Sequence, residues 1–201
     1  MVFSAAVEGP SDEVALRKIV RSVGGELGHV YGRNGKSHIL RSLAGYNSAA
    51  RFQPWIVLVD LDAEACVVVA KKNWLPAPSG LMCLRIAVRE LEAWLLADRE
   101  RFADYFAVSP DLVPPDPDQL DDPKLTLIKI VRRSRRSAIR ADMVPDHALG
   151  QSIGPAYAAR IMEFIESDAG WRVESASGRS PSLRRAVTAI SAFQDRDIDL
   201  G

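Results

Sequence analysis

The chain has 201 residues, of which 47% are hydrophobic and 26% are charged. This composition is typical of an ordinary globular domain with room for a small appendage, and it excludes a fibrous, disordered or low-complexity chain. The 26 basic and 26 acidic residues give a formal net charge of zero, which argues against coating nucleic acid by bulk charge and leaves a local basic patch open.

The first hundred residues alternate short apolar runs with helical patterns. The apolar runs predict strands at residues 2–7, 26–31, 55–59 and 81–88. The first helical pattern follows Pro10, with Ser11 as its predicted cap, and Gly24 ends it. A second holds Ile39 and Leu43, and a third covers residues 90–98. Four strands with helices between them predict an α/β fold with an open parallel sheet and right-handed crossovers.

The composition changes after residue 108. Residues 109–123 hold five prolines and five aspartates and no base, which indicates a linker. Helices are predicted at residues 125–140, 153–165 and 180–193, the last with Ser180 as its cap and Pro181 at its first position. We therefore expect an α/β domain over residues 1–108, a linker over 109–123 and a small helical C-terminal subdomain over 124–201.

Cys66 and Cys83 are the only cysteines. Both have apolar neighbours, so we expect two buried thiols in a cytoplasmic protein, and a structural zinc site lacks the ligands that it needs. No apolar stretch approaches the ~20 residues that span a bilayer, and the N-terminus carries no basic region ahead of an apolar one. The sequence predicts no membrane partner.

Acidic residues follow three of the four predicted strands: Glu8, then Asp60 and Asp62, then Glu90 and Glu92. Ligands of open parallel sheets bind at the carboxyl ends of the strands, so neighbouring first and third strands would bring Glu8 to the Asp60–Asp62 pair. Two carboxylates ~4 Å apart repel by about 4 kcal/mol at an effective dielectric near 20, and oxygen ligands favour Mg²⁺ or Mn²⁺. Such an ion suits phosphodiester hydrolysis. The alternative is that Asp62 only caps the following helix.

Glu8-Gly9 after an apolar strand, and Asp60-Leu61-Asp62 after a later one, resemble the Toprim domain of topoisomerases, primases, recombination mediators and overcoming-lysogenization-defect nucleases. A family of unknown function with Toprim-like features resembles the chain still more closely. It shares, in order, Asn34-Gly35-Lys36, the stretch 90–98 and Asp122-Pro123-Lys124. The resemblance implies a Toprim-like sheet and Mg²⁺ ligation by Glu8, Asp60 and Asp62, with Glu90 or Glu92 as a further acid. The four tyrosines lack a topoisomerase-like context, so we expect hydrolysis by activated water.

Three basic features are candidates for contact with phosphate. The loop with Gly35 and Lys36 has Val30 where a nucleotide-binding P-loop needs glycine, so it either contacts a nucleic-acid phosphate or forms a plain turn. Lys124 either stabilises charge in the transition state or lies on the surface. Residues 124–140 contain seven bases and no acid, and they form either a stripe along a phosphate backbone or a solvated, internally paired face.

These observations predict a Mg²⁺-dependent phosphodiesterase acting on DNA or RNA, in phage defence or mobile-element biology. One alternative is a non-catalytic partner of a neighbouring ATPase, because families of this type are often encoded beside one. A third is an aspartyl phosphatase, because Asp60-Leu61-Asp62 resembles the opening of the haloacid dehalogenases. The following Ala63-Glu64 departs from that pattern, which continues into small hydroxylated residues.

Overall fold

The structure is a computed structural model that describes residues 1–61, 66–87, 90–146, 148 and 150–198. It confirms the predicted fold class: a four-stranded, all-parallel sheet is flanked by helices, and the C-terminal region is helical. The chain forms two compact units. The first comprises Met1–Val88 with Ser182–Gly201, and the second comprises Arg89–Pro181.

The sheet of the first unit has the order β2-β1-β3-β4. Its strands are β1 (Val2–Val7), β2 (Glu26–Gly32), β3 (Trp55–Asp60) and β4 (Met82–Ala87). The central strands β1 and β3 are nearly continuous apolar runs, as expected when both faces of a parallel sheet are covered. Because β1 and β3 are parallel neighbours, their carboxyl ends lie at the same edge.

Four helices belong to the first unit: α1 (Pro10–Ser22), α2 (Lys36–Ala49), α3 (Val67–Trp74) and α10 (Pro181–Ile198). The prediction that Ser11 caps α1 is wrong. The N-cap is Gly9, whose N–H donates to the Asp12 carboxylate at 2.8 Å. The expectation that Cys66 is buried is also wrong, since it is exposed just before α3, whereas Cys83 on β4 is buried as predicted.

The second unit is helical. It contains α4 (Leu91–Ala97), α5 (Arg99–Tyr105), α6 (Pro123–Val131), α7 (Ser137–Met143), α8 (Tyr157–Glu166) and α9 (Val173–Arg179). Its core is aromatic. The fully buried Trp171 donates its indole N–H to the Trp94 carbonyl at 2.9 Å, and Phe102, Phe106 and Phe164 pack together with ring centroids 4.7 to 5.9 Å apart.

The two units differ from the division predicted from composition. Helix α10 belongs with the sheet, where Phe193 packs edge-to-face on Phe3 of β1 at 6.2 Å. The predicted linker, residues 109–123, forms two short 3₁₀ helices and contributes buried side chains to the second unit. Its Asp118 accepts a hydrogen bond from the buried Ser180 hydroxyl at 2.7 Å. Proline and aspartate here make an ordered turn-rich segment rather than a spacer.

The single helix predicted over residues 125–140 is wrong, because the segment breaks between α6 and α7. The buried Ser134 lies at the break. Its hydroxyl accepts the N–H of Arg136, and the N–H of Arg135 donates to the Ala107 carbonyl. These bonds replace helical ones, so the bases do not form one continuous stripe. Leu125, at the start of this segment, is 44% exposed. In the described part of the chain, no helix has the length and apolar character needed to cross a membrane.

Candidate functional site

Glu8 follows β1 directly, at the carboxyl edge of the sheet. Its carboxylate Oε1 accepts a hydrogen bond from the backbone N–H of Asp60, the last residue of β3, at 2.8 Å. Residues 52 positions apart in the chain therefore meet at one edge, because β1 and β3 are neighbours in the sheet. The Glu8 carboxylate thus contacts the Asp60 backbone, and the roles of Glu8 and Asp60 as metal ligands stay a prediction.

The glycine-rich loop between β2 and α2 crosses the end of β1 and holds the backbone of Glu8. Gly32 has φ +90°, and a Cβ at this position would overlap the Val7 carbonyl oxygen, so the close approach requires glycine. The sequence left this loop open between a phosphate contact and a plain turn, and in the structure the N–H of Gly35 donates to the Glu8 carbonyl at 3.1 Å. Gly35 thus positions the residue that carries the first candidate ligand.

Lys36, the first residue of α2, reaches the end of β3. Its Nζ donates to the Leu61 carbonyl at 3.1 Å and lies 4.8 Å from the centroid of the Trp74 ring. The ring face attracts the ammonium group, and the two contacts restrict a side chain that would otherwise be flexible. Lys36 therefore places a positive charge at the carbonyl of the residue that follows Asp60.

The acids at this edge fit a hard divalent ion by donor type, because Mg²⁺ and Mn²⁺ prefer carboxylate oxygens. A carboxylate has about four lone-pair directions, so the bond from the Asp60 N–H orients Glu8 without exhausting its capacity as a ligand. Asp62, the third predicted ligand, lies outside the described residues. Among the residues that are described, no three His, Cys, Asp or Glu side chains are grouped to hold a metal ion. At this edge of the sheet, the described residues supply two of the predicted ligands, Glu8 and Asp60.

A second group of candidate residues lies within the second unit. Glu90 is the N-cap of α4, and its carboxylate accepts both the backbone N–H of Lys124 at 3.0 Å and Lys124 Nζ at 3.3 Å. Glu92 on α4 has its side chain 8% exposed and lies 3.5 Å from the same Nζ. The hydroxyl of Tyr157, at the start of α8, donates to Glu92 Oε1 at 3.0 Å. We call Glu90, Glu92, Lys124 and Tyr157 the Glu92 cluster.

Burial dominates the electrostatics of the Glu92 cluster. It raises the pKa of the Glu92 carboxyl, and the Glu90 charge adds to this effect, whereas the Lys124 ammonium lowers the pKa. Burial and the Glu92 charge raise the pKa of the Tyr157 phenol far above its usual range, so Tyr157 is a neutral donor. An ion on Glu92 would have to replace the contacts with Lys124 and Tyr157. This arrangement favours a structural role for the cluster.

Sequence reasoning missed Tyr157 because it lies 65 positions from Glu92, and neither its neighbours nor its spacing signals the contact. Lys124, which the sequence left open between stabilising charge in the transition state and lying on the surface, has its Nζ 3.3 Å from Glu90 and 3.5 Å from Glu92. Comparisons of the chain with protein-family models, with curated proteins and with solved structures found no match. The Toprim resemblance therefore depends on the quoted motifs alone.

Proposed function

We propose that this chain is a Mg²⁺-dependent phosphodiesterase that hydrolyses DNA or RNA, with Glu8, Asp60 and Asp62 as the residues that hold the ion. The observation that supports the proposal most directly is the hydrogen bond from the Asp60 N–H to Glu8 Oε1. It brings two acids to the carboxyl edge of a parallel sheet, where such folds bind their ligands.

Each described residue at this edge has a task in the proposal. The Asp60 N–H fixes the rotamer of Glu8, and the Gly35 N–H fixes the Glu8 backbone, so a ligand or base at Glu8 is oriented before substrate arrives. Lys36 is held at the edge by Leu61 and Trp74, ready to pair with a phosphate oxygen. A bound divalent ion would supply charge neutralisation and an activated water.

The test is cleavage of plasmid and of single-stranded DNA and RNA oligonucleotides with Mg²⁺ or Mn²⁺. We expect Glu8→Gln and Asp60→Asn each to lower the rate by at least about 100-fold, because even outer-shell partners of a metal contribute 10- to 100-fold. Glu26→Gln is the matched control: Glu26 is an exposed acid at the first position of β2. Equal rates for wild type, Glu8→Gln and Asp60→Asn would reject the proposal.

A further inference from the structure

Three basic residues of the first unit line a cavity that the proposed function does not use. The cavity has a volume of about 190 Å³ and lies between β4, α3 and α10. Lys71, Arg85 and Arg185 line it, together with Ser182 and several aliphatic side chains. We call it the β4 cavity.

The positive charge of the β4 cavity has no acidic partner in the described chain. No described carboxylate lines the cavity, and none forms an ion pair with Lys71, Arg85 or Arg185. Like charges gathered around a small volume repel one another. Consistent with this, burial and then the Arg85 charge lower the pKa of Lys71. An anion bound in the cavity would offset this repulsion.

Backbone dipoles add to the positive potential. Val67 and Val68 in the first turn of α3 line the cavity, and so does Ser182 in the first turn of α10. The first turns of helices carry unsatisfied N–H groups and partial positive charge. Two helices therefore begin at a cavity that three basic residues help to line.

The guanidinium of Arg85 is held in place before any ligand arrives. Its Nε donates to the Leu84 carbonyl at 2.8 Å, and its Nη1 donates to the Arg185 carbonyl at 3.3 Å. These bonds join β4 to α10 and orient the planar group while leaving its charge uncompensated. A pre-oriented guanidinium loses little entropy when it binds an oxyanion.

We propose that the β4 cavity is a binding site for a single phosphate group. Its volume of about 190 Å³ has room for a phosphate or the end of a phosphomonoester. It is below the ~300 Å³ of sites for drug-sized ligands, which favours a small group over a large ligand. Arginine and lysine both bind phosphate oxygens, arginine through two parallel hydrogen bonds. The site does not depend on the proposed hydrolysis.

Calorimetric titration with inorganic phosphate, in chloride buffer with chelator, tests the proposal without reading metal-dependent activity. We expect saturable binding at one site. Lys71→Gln and Arg185→Gln should each weaken it at least about tenfold, the effect of losing one charge-assisted hydrogen bond. Each variant has a matched control in its neighbour. Lys72 and Arg184 are exposed and do not line the cavity, so Lys72→Gln and Arg184→Gln should change the affinity by less than about twofold.

Two further arms identify the source of the phosphate. Tighter binding of a 5′-phosphorylated than of a 5′-hydroxyl oligonucleotide, lost in Lys71→Gln, would assign the site to a nucleic-acid terminus. Equal binding of the two strands, with glycerol phosphate dependent on Lys71 and Arg185, would assign it to a small phosphomonoester. Absence of saturable phosphate binding to wild type, or equal weakening by the lining and control variants, would overturn the proposal.

Discussion

Replacing Lys124 with methionine tests the charge balance of the Glu92 cluster. The Glu92 side chain is 8% exposed and lies 3.5 Å from Lys124 Nζ, whose side chain is 38% exposed. Removing one partner of a buried ion pair costs about 3–5 kcal/mol, whereas an exposed pair contributes at most about 1 kcal/mol. Because solvent screens Lys124, we expect Lys124→Met to lower the free energy of unfolding by about 1–2 kcal/mol near neutral pH.

The loss of stability caused by Lys124→Met should depend on pH, because burial raises the pKa of Glu92. A group whose pKa is raised on folding contributes stability below its usual pKa, and this contribution is lost as the pH rises through the raised value. Lys124 limits the rise of the Glu92 pKa. Without Lys124 the Glu92 pKa is higher, so the folded protein keeps losing stability up to a higher pH. At about pH 4 Glu92 is protonated with or without Lys124, and we expect a loss below about 0.5 kcal/mol.

Urea unfolding near pH 4 and near pH 8, followed by circular dichroism, measures both values. Lys129→Met is the matched control, because Lys129 is an exposed lysine on the same helix and should change stability by less than about 0.5 kcal/mol. Adding Glu92→Gln to Lys124→Met should recover most of the loss near pH 8, since a neutral amide needs no counter-charge. Equal losses at the two pH values, or no recovery by Glu92→Gln, would refute the electrostatic account.

Two other predictions concern the first unit. Gly32→Ala should lower the free energy of unfolding by about 1–3 kcal/mol, because a Cβ at φ +90° overlaps Val7. Gly45→Ala, on an open face of α2, should raise the free energy of unfolding by about 0.5–1 kcal/mol. Urea unfolding compares the two variants, and similar effects of both would contradict the steric argument. A thiol reagent should modify the exposed Cys66 of the native protein well before the buried Cys83, whose pKa is raised by burial. Mass spectrometry of the labelled chain checks the order, and equal rates would contradict it.

The sheet could be predicted closely because its strands are short apolar runs bounded by Gly, Pro and acidic residues. The predicted strand at residues 2–7 coincides with β1, and the strand at 55–59 differs from β3 by one residue. The same alternation predicted the parallel topology. Because acids after parallel strands lie at one edge, the contact between Glu8 and Asp60 followed from chain order once β1 and β3 were neighbours.

Tertiary contacts explain what the sequence alone did not reveal. The break between α6 and α7 depends on a hydrogen bond from the Arg135 N–H to the distant Ala107 carbonyl, which no local pattern encodes. Helix α3 was expected after Asp62 without bounds; its three consecutive valines favour a strand locally, and the fold overrides that preference. The membership of α10 in the first unit depends on packing such as Phe193 on Phe3, which composition cannot predict.

Diffraction from crystals soaked in Mn²⁺ tests the central claim most directly, because anomalous scattering locates the ion without assuming a reaction. We expect an ion in direct coordination with the carboxylates of Glu8 and Asp60, and we expect it to be absent from crystals of Glu8→Gln. No ion at this edge, or an ion held by the acids of residues 109–123 instead, would contradict it.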